Sequence, residues 1–320
     1  MKKTLFTLLL FSLIFSLNAQ TITEKDIIDG AAATYAPNKF SDAPRKVYIA
    51  SFRAFFHVVA SETANSVGSG GKGNSKVAMT VALDGVDVPD FQALTNAAYK
   101  SFTDDLKSRG FEILTADDAG KTKFYSEWIK KEGGQVSYAQ MPGYVSATPA
   151  GYSYFIKAET GKGKEKTTFV DKTPVLSLEM GSPVVIDVAY YFPAFDIDDT
   201  SSGALGFSSV KAKVNFRFNS EIKFVTSERA MKYSSLVQRV KGDGINVEAP
   251  VFKDKKFREM AVAERVQAFS TAFIEILPDV SKKVTHNALV DHDLYMQETS
   301  RLMNEFSTLA LKKFYGYALE

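Results

Sequence analysis

The stretch VKAKVNFRFNSEIKF, residues 210–224, alternates apolar and polar residues over its whole length. Because successive side chains of a β-strand point to opposite faces, this period of two predicts a strand with one apolar side. Strands of soluble sheets that are half-buried and strands that meet a membrane share the pattern, so it leaves the environment open. The predicted apolar side includes one serine and consists of Val210, Ala212, Val214, Phe216, Phe218, Ser220, Ile222 and Phe224.

The stretch VVIDVAYYFPAF, residues 184–195, is apolar on both sides of the predicted strand except at Asp187. Such runs are typical of a central strand that is buried on both faces, although Pro193 fits a fully paired ladder poorly. We predict that the two stretches form a long hairpin around a tip at 196–209. Later amphipathic helices need an apolar surface to cover, so we favour a soluble sheet, with the Lys/Arg side of 210–224 facing water or a partner.

The earlier chain predicts a helix laid on a mixed sheet. KVYIASFRAFFHVVAS (46–61) reads as a strand buried on two sides, and KVAMTVALDGV (76–86) as its hairpin partner. A helix over 88–109 follows, with Asp87 as its cap, Pro89 in its first turn and Gly110 after its end. FEILT then reads as a strand, so the order is strand, strand, helix, strand.

The remaining segments complete the predicted organisation. Apolar spacing predicts a short helix over 121–131 and two C-terminal helices, over 262–277 and about 291–315, that form a helical hairpin. We predict an irregular insertion at 132–174, which is rich in Gly, Tyr and Pro. The predicted fold class is α/β (α+β), with a mixed, largely antiparallel sheet backed by helices.

The first 19 residues read as a secretory signal peptide. Lys2 and Lys3 precede an apolar run from Leu5 to Leu17, and Ala19 is a small residue at the expected cleavage site. The run is too short to cross a bilayer, which needs about 20 residues. We therefore divide the chain into a signal peptide (1–19), an N-terminal connector (20–45) and a single domain (46–320), in which the helices of 255–320 pack on the sheet.

Charge and cysteine content narrow the function classes. The chain has 39 Lys+Arg and 37 Asp+Glu, and removal of Lys2 and Lys3 leaves 37 of each. This balance does not predict nucleic-acid binding. The sequence contains no cysteine, which excludes disulfides, thiolate metal sites, a cysteine nucleophile and an acylated lipoprotein anchor.

The motifs that suggest phosphate binding, metal binding or catalysis lack the residues or the geometry that these functions require. GSGGKGNS (68–75) has Ser66 and Gly73 where a phosphate-binding loop requires Gly and Ser or Thr. The acidic residues at 196, 198 and 199 lack the Gly and Glu of an EF-hand loop, so we interpret them as a solvated turn. Asp291, His292 and Asp293 are adjacent on a predicted helix and cannot converge. We predict no catalytic residue, no metal site and no cofactor.

Loop aromatics form the one candidate binding site. Aromatic side chains suit a glycan or peptide groove, and they also serve to fix long loops to a protein surface. The candidate residues lie in or beside the predicted insertion and are Trp128, Tyr138, Tyr144, Tyr152 and Tyr154.

The layout of 46–249 resembles the curli-secretion channel lipoproteins and the penicillin-binding-protein activator lipoproteins. The resemblance rests on VDVPDFQALTNAAYKSFTDDLKSRGFEIL (86–114) and on PVVIDVAYYFPAFDIDDTSSGALGFSSVKAKVNFRFNSEIKFVTS (183–227). It implies a helix-backed sheet in a periplasmic module that assembles envelope machinery or oligomerises. The chain departs from those lipoproteins because it has no cysteine to acylate. No pore-lining residue carries over.

We expect an exported, non-catalytic, envelope-associated protein in the periplasm or at the outer-membrane periphery of a Gram-negative bacterium. Its expected partners are other proteins or further copies of itself, without nucleic acid. Three alternatives stay open: an oligomeric pore or secretion component that inserts the 184–224 hairpin into a membrane, a soluble glycan- or peptide-binding protein, and an enzyme without a recognisable motif.

Overall fold

A computed structural model describes residues 27–29, 40–66, 75–167, 172–202, 207–214, 217–227, 230–237 and 286–319. The described helices are α1 (Val88–Ser108), α2 (Ala116–Ala119), α3 (Thr173–Glu179) and α4 (His292–Ala318). The described strands are β1 (Ile27–Asp29), β2 (Lys46–His57), β3 (Val59–Ser66), β4 (Ser75–Asp84), β5 (Glu112–Leu114), β6 (Ile129–Glu132), β7 (Val136–Ser137), β8 (Tyr144–Ala147), β9 (Ser153–Ile156), β10 (Ala158–Glu159), β11 (Glu165–Lys166), β12 (Val184–Phe192), β13 (Phe195–Ser202), β14 (Phe207–Val214), β15 (Phe218–Val225), β16 (Ala230–Val237) and β17 (His286–Leu289).

The main sheet has the strand order β1-β16-β15-β12-β2-β8-β7, and β5 pairs with the first residues of β2. The pairs β12–β2 and β2–β5 are parallel, and the other pairs of this sheet are antiparallel. The predicted class, a mixed and largely antiparallel sheet backed by helices, is therefore confirmed.

Strand β12 lies inside this sheet, as its composition predicted. It pairs antiparallel with β15 and parallel with β2, and the second register shifts between Ile186 and Asp187. Val184, Ile186 and Val188 are buried, whereas Asp187 is half-buried on the opposite side. The strand therefore places apolar side chains on one face and a carboxyl group on the other.

Helices α1 and α4 cover one side of the main sheet, which we call the first face. Phe224 of β15 stacks on Phe314 of α4 with ring centroids 4.4 Å apart, and Phe56 of β2 stacks on Phe91 of α1 at 4.5 Å. Along β15 the apolar positions and Ser220 are buried, in the alternation that the sequence predicts. Helices thus cover the apolar side of β15. For residues 210–214 the structure describes the backbone and not the side chains.

The helices that cover the first face begin and end at the predicted signals. The backbone N–H of Asp87 donates to Asp90 Oδ2 at 2.7 Å, and Gly110 follows α1 with a φ of 83°. The side chain of Asp291 accepts the backbone N–H of Leu294 at 2.9 Å and so caps α4. The first and last residues of α1 and α4 agree with the predicted ranges, 88–109 and about 291–315, to within a few residues.

Two hairpins extend the main sheet. The backbone of β2 breaks at Val58 and continues as β3, which pairs with β4; that of β12 breaks at Pro193 and continues as β13, which pairs with β14. Strand β3 lies against β13, and β14 lies against β3 and β4. The prediction of one strand over 46–61 was therefore wrong. The prediction of a tip at 196–209 was also wrong, because β13 and β14 occupy most of this segment.

Three other segments differ from their predictions. Residues 121–131 form turns and the start of β6 instead of a helix, and the predicted irregular stretch 132–174 contains five paired strands, of which β7 and β8 join the main sheet. Part of the connector 20–45 is strand β1 at the sheet edge. Short pairing segments carry little periodicity, so the sequence did not reveal them. The predicted helix over 262–277, and with it the helical hairpin, lies outside the described residues.

Truncation of a buried aromatic ring on α4 tests this packing. Phe314 is 0% exposed and Tyr317, on the same helix, is 37% exposed. We expect Phe314→Ala to lower the free energy of unfolding by about 3–5 kcal/mol, because it removes buried surface and leaves a cavity. Tyr317→Ala is the matched control and should cost less than about 1 kcal/mol. Urea unfolding measures both, and equal losses would contradict the packing of α4 on the sheet.

Candidate functional site

The side of the main sheet that faces away from α1 and α4, which we call the second face, carries polar and aromatic residues. The strand registers place Asp187 between Ser51 and Lys223, with Ala189 and Tyr191 in the next rows. Every one of these positions is half-buried rather than covered. The nine central positions of the face are Ser51, Arg53 and Phe55 of β2, Asp187, Ala189 and Tyr191 of β12, and Asn219, Glu221 and Lys223 of β15.

An aromatic cluster closes one end of the second face. Tyr48 is 1% exposed and its ring lies 6.5 Å from that of Tyr125, edge to face. Tyr125 stacks on Phe155 at 4.1 Å and meets Trp128 at 5.1 Å. Leu176 of α3 is buried in the same cluster. This end of the face is therefore a second, smaller core.

A network around Arg53 holds the β10–β11 hairpin over the second face. The guanidinium of Arg53 pairs with Glu165 at 2.5 Å and lies 5.3 Å above the ring of Tyr154. The Tyr154 hydroxyl donates to the same carboxylate at 2.8 Å, and Lys131 Nζ lies 3.5 Å from it. Because Arg53 and Glu165 are both largely buried, their charges are committed to one another.

Asp187 is the exception among the buried charges of this face. Among the described residues it makes no hydrogen bond and no ion pair, and burial raises the pKa of its carboxyl to about 6, with the nearby charge of Glu221 adding to the effect. It also lies close enough to the hydroxyls of Tyr48, Tyr125 and Tyr152 to act on them electrostatically. Within the described part of the chain, this carboxylate therefore has tyrosine hydroxyls in its vicinity and no basic partner.

His57 lies where the two hairpins leave the main sheet. Its ring stacks on Tyr144 at 4.3 Å, meets Phe195 edge to face at 4.9 Å, and accepts the backbone N–H of Ala194 at Nδ1 over 3.4 Å. Burial lowers the pKa of His57 to about 4, and the charge of Arg217 adds to this. His57 thereby links β2, the start of β8 and the start of β13 as a neutral imidazole.

A close backbone approach completes this junction. The carbonyl of Gly143 accepts the N–H groups of Val58 and Val59, at 2.9 and 3.1 Å. Gly143 has a φ of 78°, and a Cβ there would lie 2.3 Å from the Val59 carbonyl oxygen. Only glycine fits this position, so the break between β2 and β3 depends on it.

The structure distributes the five predicted aromatic residues over several environments. Trp128 lies half-buried in the aromatic cluster, and Tyr144 stacks on His57. Tyr152 and Tyr154 are 4% and 8% exposed and stack on each other at 5.8 Å, and the Tyr152 hydroxyl donates to the Ile49 carbonyl at 3.2 Å. Tyr138 is half-buried, and its hydroxyl oxygen has no hydrogen-bond partner among the described residues. A groove lined by all five stays a prediction.

Sequence reasoning missed the residues that dominate the second face. Asp187 had a signal, because it is the only charged residue in a long apolar run. Arg53 and Glu165 are 112 positions apart, and no pattern in the sequence connects them. His57 had no signal either, since its role depends on how two hairpins leave the sheet.

The other groups that the sequence singled out do not form a functional site among the described residues. His292 lies 3.2 Å from Asp90 Oδ1 and 3.1 Å from Asp293 Oδ1 at the exposed starts of α1 and α4. In the described part of the chain, no three His, Cys, Asp or Glu side chains are grouped as metal ligands. None of the described helices has the length and apolar character needed to cross a membrane. The acidic residues at 196, 198 and 199 lie in β13 instead of a turn.

Comparisons with known proteins give no relative for this chain. No protein-family model matches it, and neither a curated protein nor a solved structure matches it.

His57 and Asp187 give opposite pH dependences to stability. In the unfolded chain His57 has its ordinary pKa of 6.5, whereas in the folded protein its pKa is about 4. Between these values only the unfolded state binds the proton, so the free energy of unfolding falls as the pH drops from 6.5 to 4. Folded Asp187 keeps a proton up to about pH 6 that the unfolded chain loses near 3.8, so stability falls as the pH rises through this window. Each effect is about 3 kcal/mol at most.

Two single variants separate these effects. The difference in unfolding free energy between the wild type and His57→Gln should shrink as the pH drops from 6.5 to 4. The unfolding free energy of Asp187→Asn, relative to that of the wild type, should increase as the pH rises from 4 to 6. Urea unfolding at half-unit pH steps measures the differences, and the exposed Asp42→Asn is the control. Parallel curves for all four proteins would contradict the burial of both groups.

Proposed function

We propose that the chain is an exported, non-catalytic protein of the periplasm or outer-membrane periphery of a Gram-negative bacterium, where it assembles with protein partners or with further copies of itself. The proposal assigns the assembly contact to the two hairpins β3–β4 and β13–β14. The observation that carries it is the backbone pairing of β14, which has β13 as its only described strand partner.

Unpaired strand edges are the physical basis of this proposal. Strand β14 pairs along its eight residues with β13 on one side, and β17 pairs with β4 at Val81–Asp84, so no described strand lies beside Ser75–Thr80 on that edge. An unpaired edge offers a row of N–H and C=O groups that a strand from another chain can satisfy. Two different edges on one chain favour head-to-tail contacts, which close into rings when the rotation allows.

The rest of the fold holds the two hairpins in a fixed relation. They continue from β2 and β12, which are parallel neighbours in the main sheet. His57 links the departure points of both hairpins, and Gly143 fixes that of β3–β4. A rigid base that presents paired hairpins is suited to binding another protein, since little conformational entropy is lost at the contact.

Export is supported by the pattern of residues 1–19, with two lysines, an apolar run and Ala19. The absence of cysteine from the sequence means that the mature protein has no acylated cysteine anchor. The layout resemblance to the curli-secretion channel lipoproteins agrees with a role in envelope assembly and stays a prediction.

The packing of β15 weighs against membrane insertion of the whole 184–224 hairpin. Phe218 lies 5.8 Å from Phe306 and Phe224 stacks on Phe314, so insertion would remove these rings from α4. Phe306 and Phe314 of α4 would then lose their cover, and exposing a buried phenylalanine to water costs about 1.5–3 kcal/mol. A membrane role, as the alternative, would therefore involve β13 and β14 and not β12 and β15.

Removal of one hairpin tests the proposed assembly. We expect the protein recovered from the periplasm to begin at Gln20 by mass spectrometry, and to elute above its monomer mass in size exclusion with light scattering. Replacement of 197–212 by a short Gly-Ser linker should abolish the larger species while the melting temperature of the body stays close to that of the wild type. The matched control shortens 160–164, the tip of the β10–β11 hairpin.

The outcomes separate the parts of this proposal. A wild-type monomer at all concentrations without a captured partner, or an assembly that survives loss of 197–212, would contradict the role of the hairpins. An intact Met1 in the mature protein would contradict export through a cleaved signal peptide, whatever the state of assembly.

A further inference from the structure

The carboxyl group of Asp187 has an unusual position for an acid. It lies on a strand paired along both edges, in the interior of the main sheet, yet its side chain is half-buried and keeps access to solvent. Acidic groups taken out of water are ordinarily paired, hydrogen-bonded or bound to a cation. Asp187 has no hydrogen bond or ion pair among the described residues, so none of them compensates its charge.

The residues around Asp187 add negative charge and aromatic rings, and no free cation. Glu221, on the neighbouring strand β15, acts on Asp187 as a like charge. Arg53 is committed to Glu165, and Lys223 does not form an ion pair with Asp187 although it is the paired residue on β15. Asp187 acts electrostatically on the hydroxyls of Tyr48 in β2, Tyr125 before β6 and Tyr152 directly before β9.

A second polar group near Asp187 also lacks a hydrogen-bond partner among the described residues. The hydroxyl oxygen of Tyr48 is fully buried and makes no hydrogen bond of normal geometry, although the Tyr125 hydroxyl is its neighbour. A buried polar atom without a partner costs about 1–3 kcal/mol, and so calls for an explanation such as a bound group.

Small residues flank the carboxyl group on its face of the sheet. Ala50 and Ser51 lie beside it on β2, where the register with β12 shifts, and Ala189 follows two positions later on its own strand. Larger side chains stand around them, with Tyr48 and Tyr125 at one end and the stacked pair Phe55 and Tyr191, 4.7 Å apart, at the other. The carboxyl group of Asp187 thus lies between small residues, with aromatic rings at either end of its face.

We propose that the second face binds an organic cation, an alkylammonium or guanidinium group, at Asp187, with this carboxylate as the counter-ion. An ammonium group donates charge-assisted hydrogen bonds to a carboxylate and is attracted to the faces of tyrosine rings. The aliphatic part of the ligand packs against the ring edges. An anionic ligand is disfavoured, because Asp187 and Glu221 would repel it.

The site goes beyond the assembly proposed above and does not depend on it, because the second face lies on the main sheet and not on the hairpins. Free amines and the basic side chain of a peptide share the same chemistry. The two sources are distinguished by whether a free amine alone binds or whether a lysine-containing peptide is required.

Calorimetric titration with n-pentylammonium and with agmatine tests the site, with 1-pentanol as the uncharged control and N-acetyl-lysine amide as the peptide-like probe. We expect both cations to bind at pH 7.5 and 1-pentanol to bind at least about tenfold more weakly, since it lacks the ionic interaction. Affinity should fall by about tenfold per pH unit once the pH is below the pKa of Asp187, which is about 6.

Two variants decide whether Asp187 is the counter-ion. Asp187→Asn should weaken cation binding by about tenfold or more and remove its pH dependence, while its melting temperature at pH 7.5 rises because an unpaired buried charge is lost. Asp42→Asn, an exposed acid far along the chain, should bind as the wild type does. Equal affinity of Asp187→Asn and the wild type, equal binding of 1-pentanol, or no binding of any of the cations would overturn the proposal.

Discussion

The pairing of β12 along both of its edges is the interaction on which the rest of the structure depends. Its parallel register with β2 pairs residues that are about 136 positions apart in the chain, and its antiparallel register with β15 adds the third strand. Once these registers are set, alternate side chains of all three strands must point to one face or the other. Slipping β12 by one residue would turn its apolar side chains away from the core under α1 and α4 and bring Asp187 into it, which would destabilise the fold.

The same registers give the two faces of the sheet different roles. The first face is apolar, and α1 and α4 cover it with stacked phenylalanine rings. The second face combines an aromatic cluster, the Arg53 network and an unpaired carboxyl group. Because β2 and β12 run parallel and both break at the same end, the two hairpins leave the sheet side by side. Stability therefore depends on one face, binding is proposed for the other, and assembly for the hairpins beyond them.

The sequence predicted the elements with strong periodicity and missed those that depend on distant contacts. The alternation of β15, the apolar run of β12 and the capped helices α1 and α4 each follow from local patterns of burial and hydrogen bonding. The short strands between 129 and 166 have two to four residues each and were predicted as a helix and an irregular segment. Their conformation depends on pairing with β2 and with each other, which no local pattern encodes. For the site, Asp187 was visible as a charge in an apolar run, whereas its tyrosine neighbours come from three separate segments.

The central claim is that β12 is the interior strand of the sheet and that the hairpins lie outside its cooperative core. Native-state hydrogen exchange with mass-spectrometric readout tests it directly, because it reports the opening free energy of each segment. The account predicts that amides of 185–191 exchange only by global unfolding, with the same denaturant dependence as α4, while amides of 195–202 and 207–214 exchange earlier through local opening. Exchange of 185–191 at a free energy well below that of global unfolding would contradict the account.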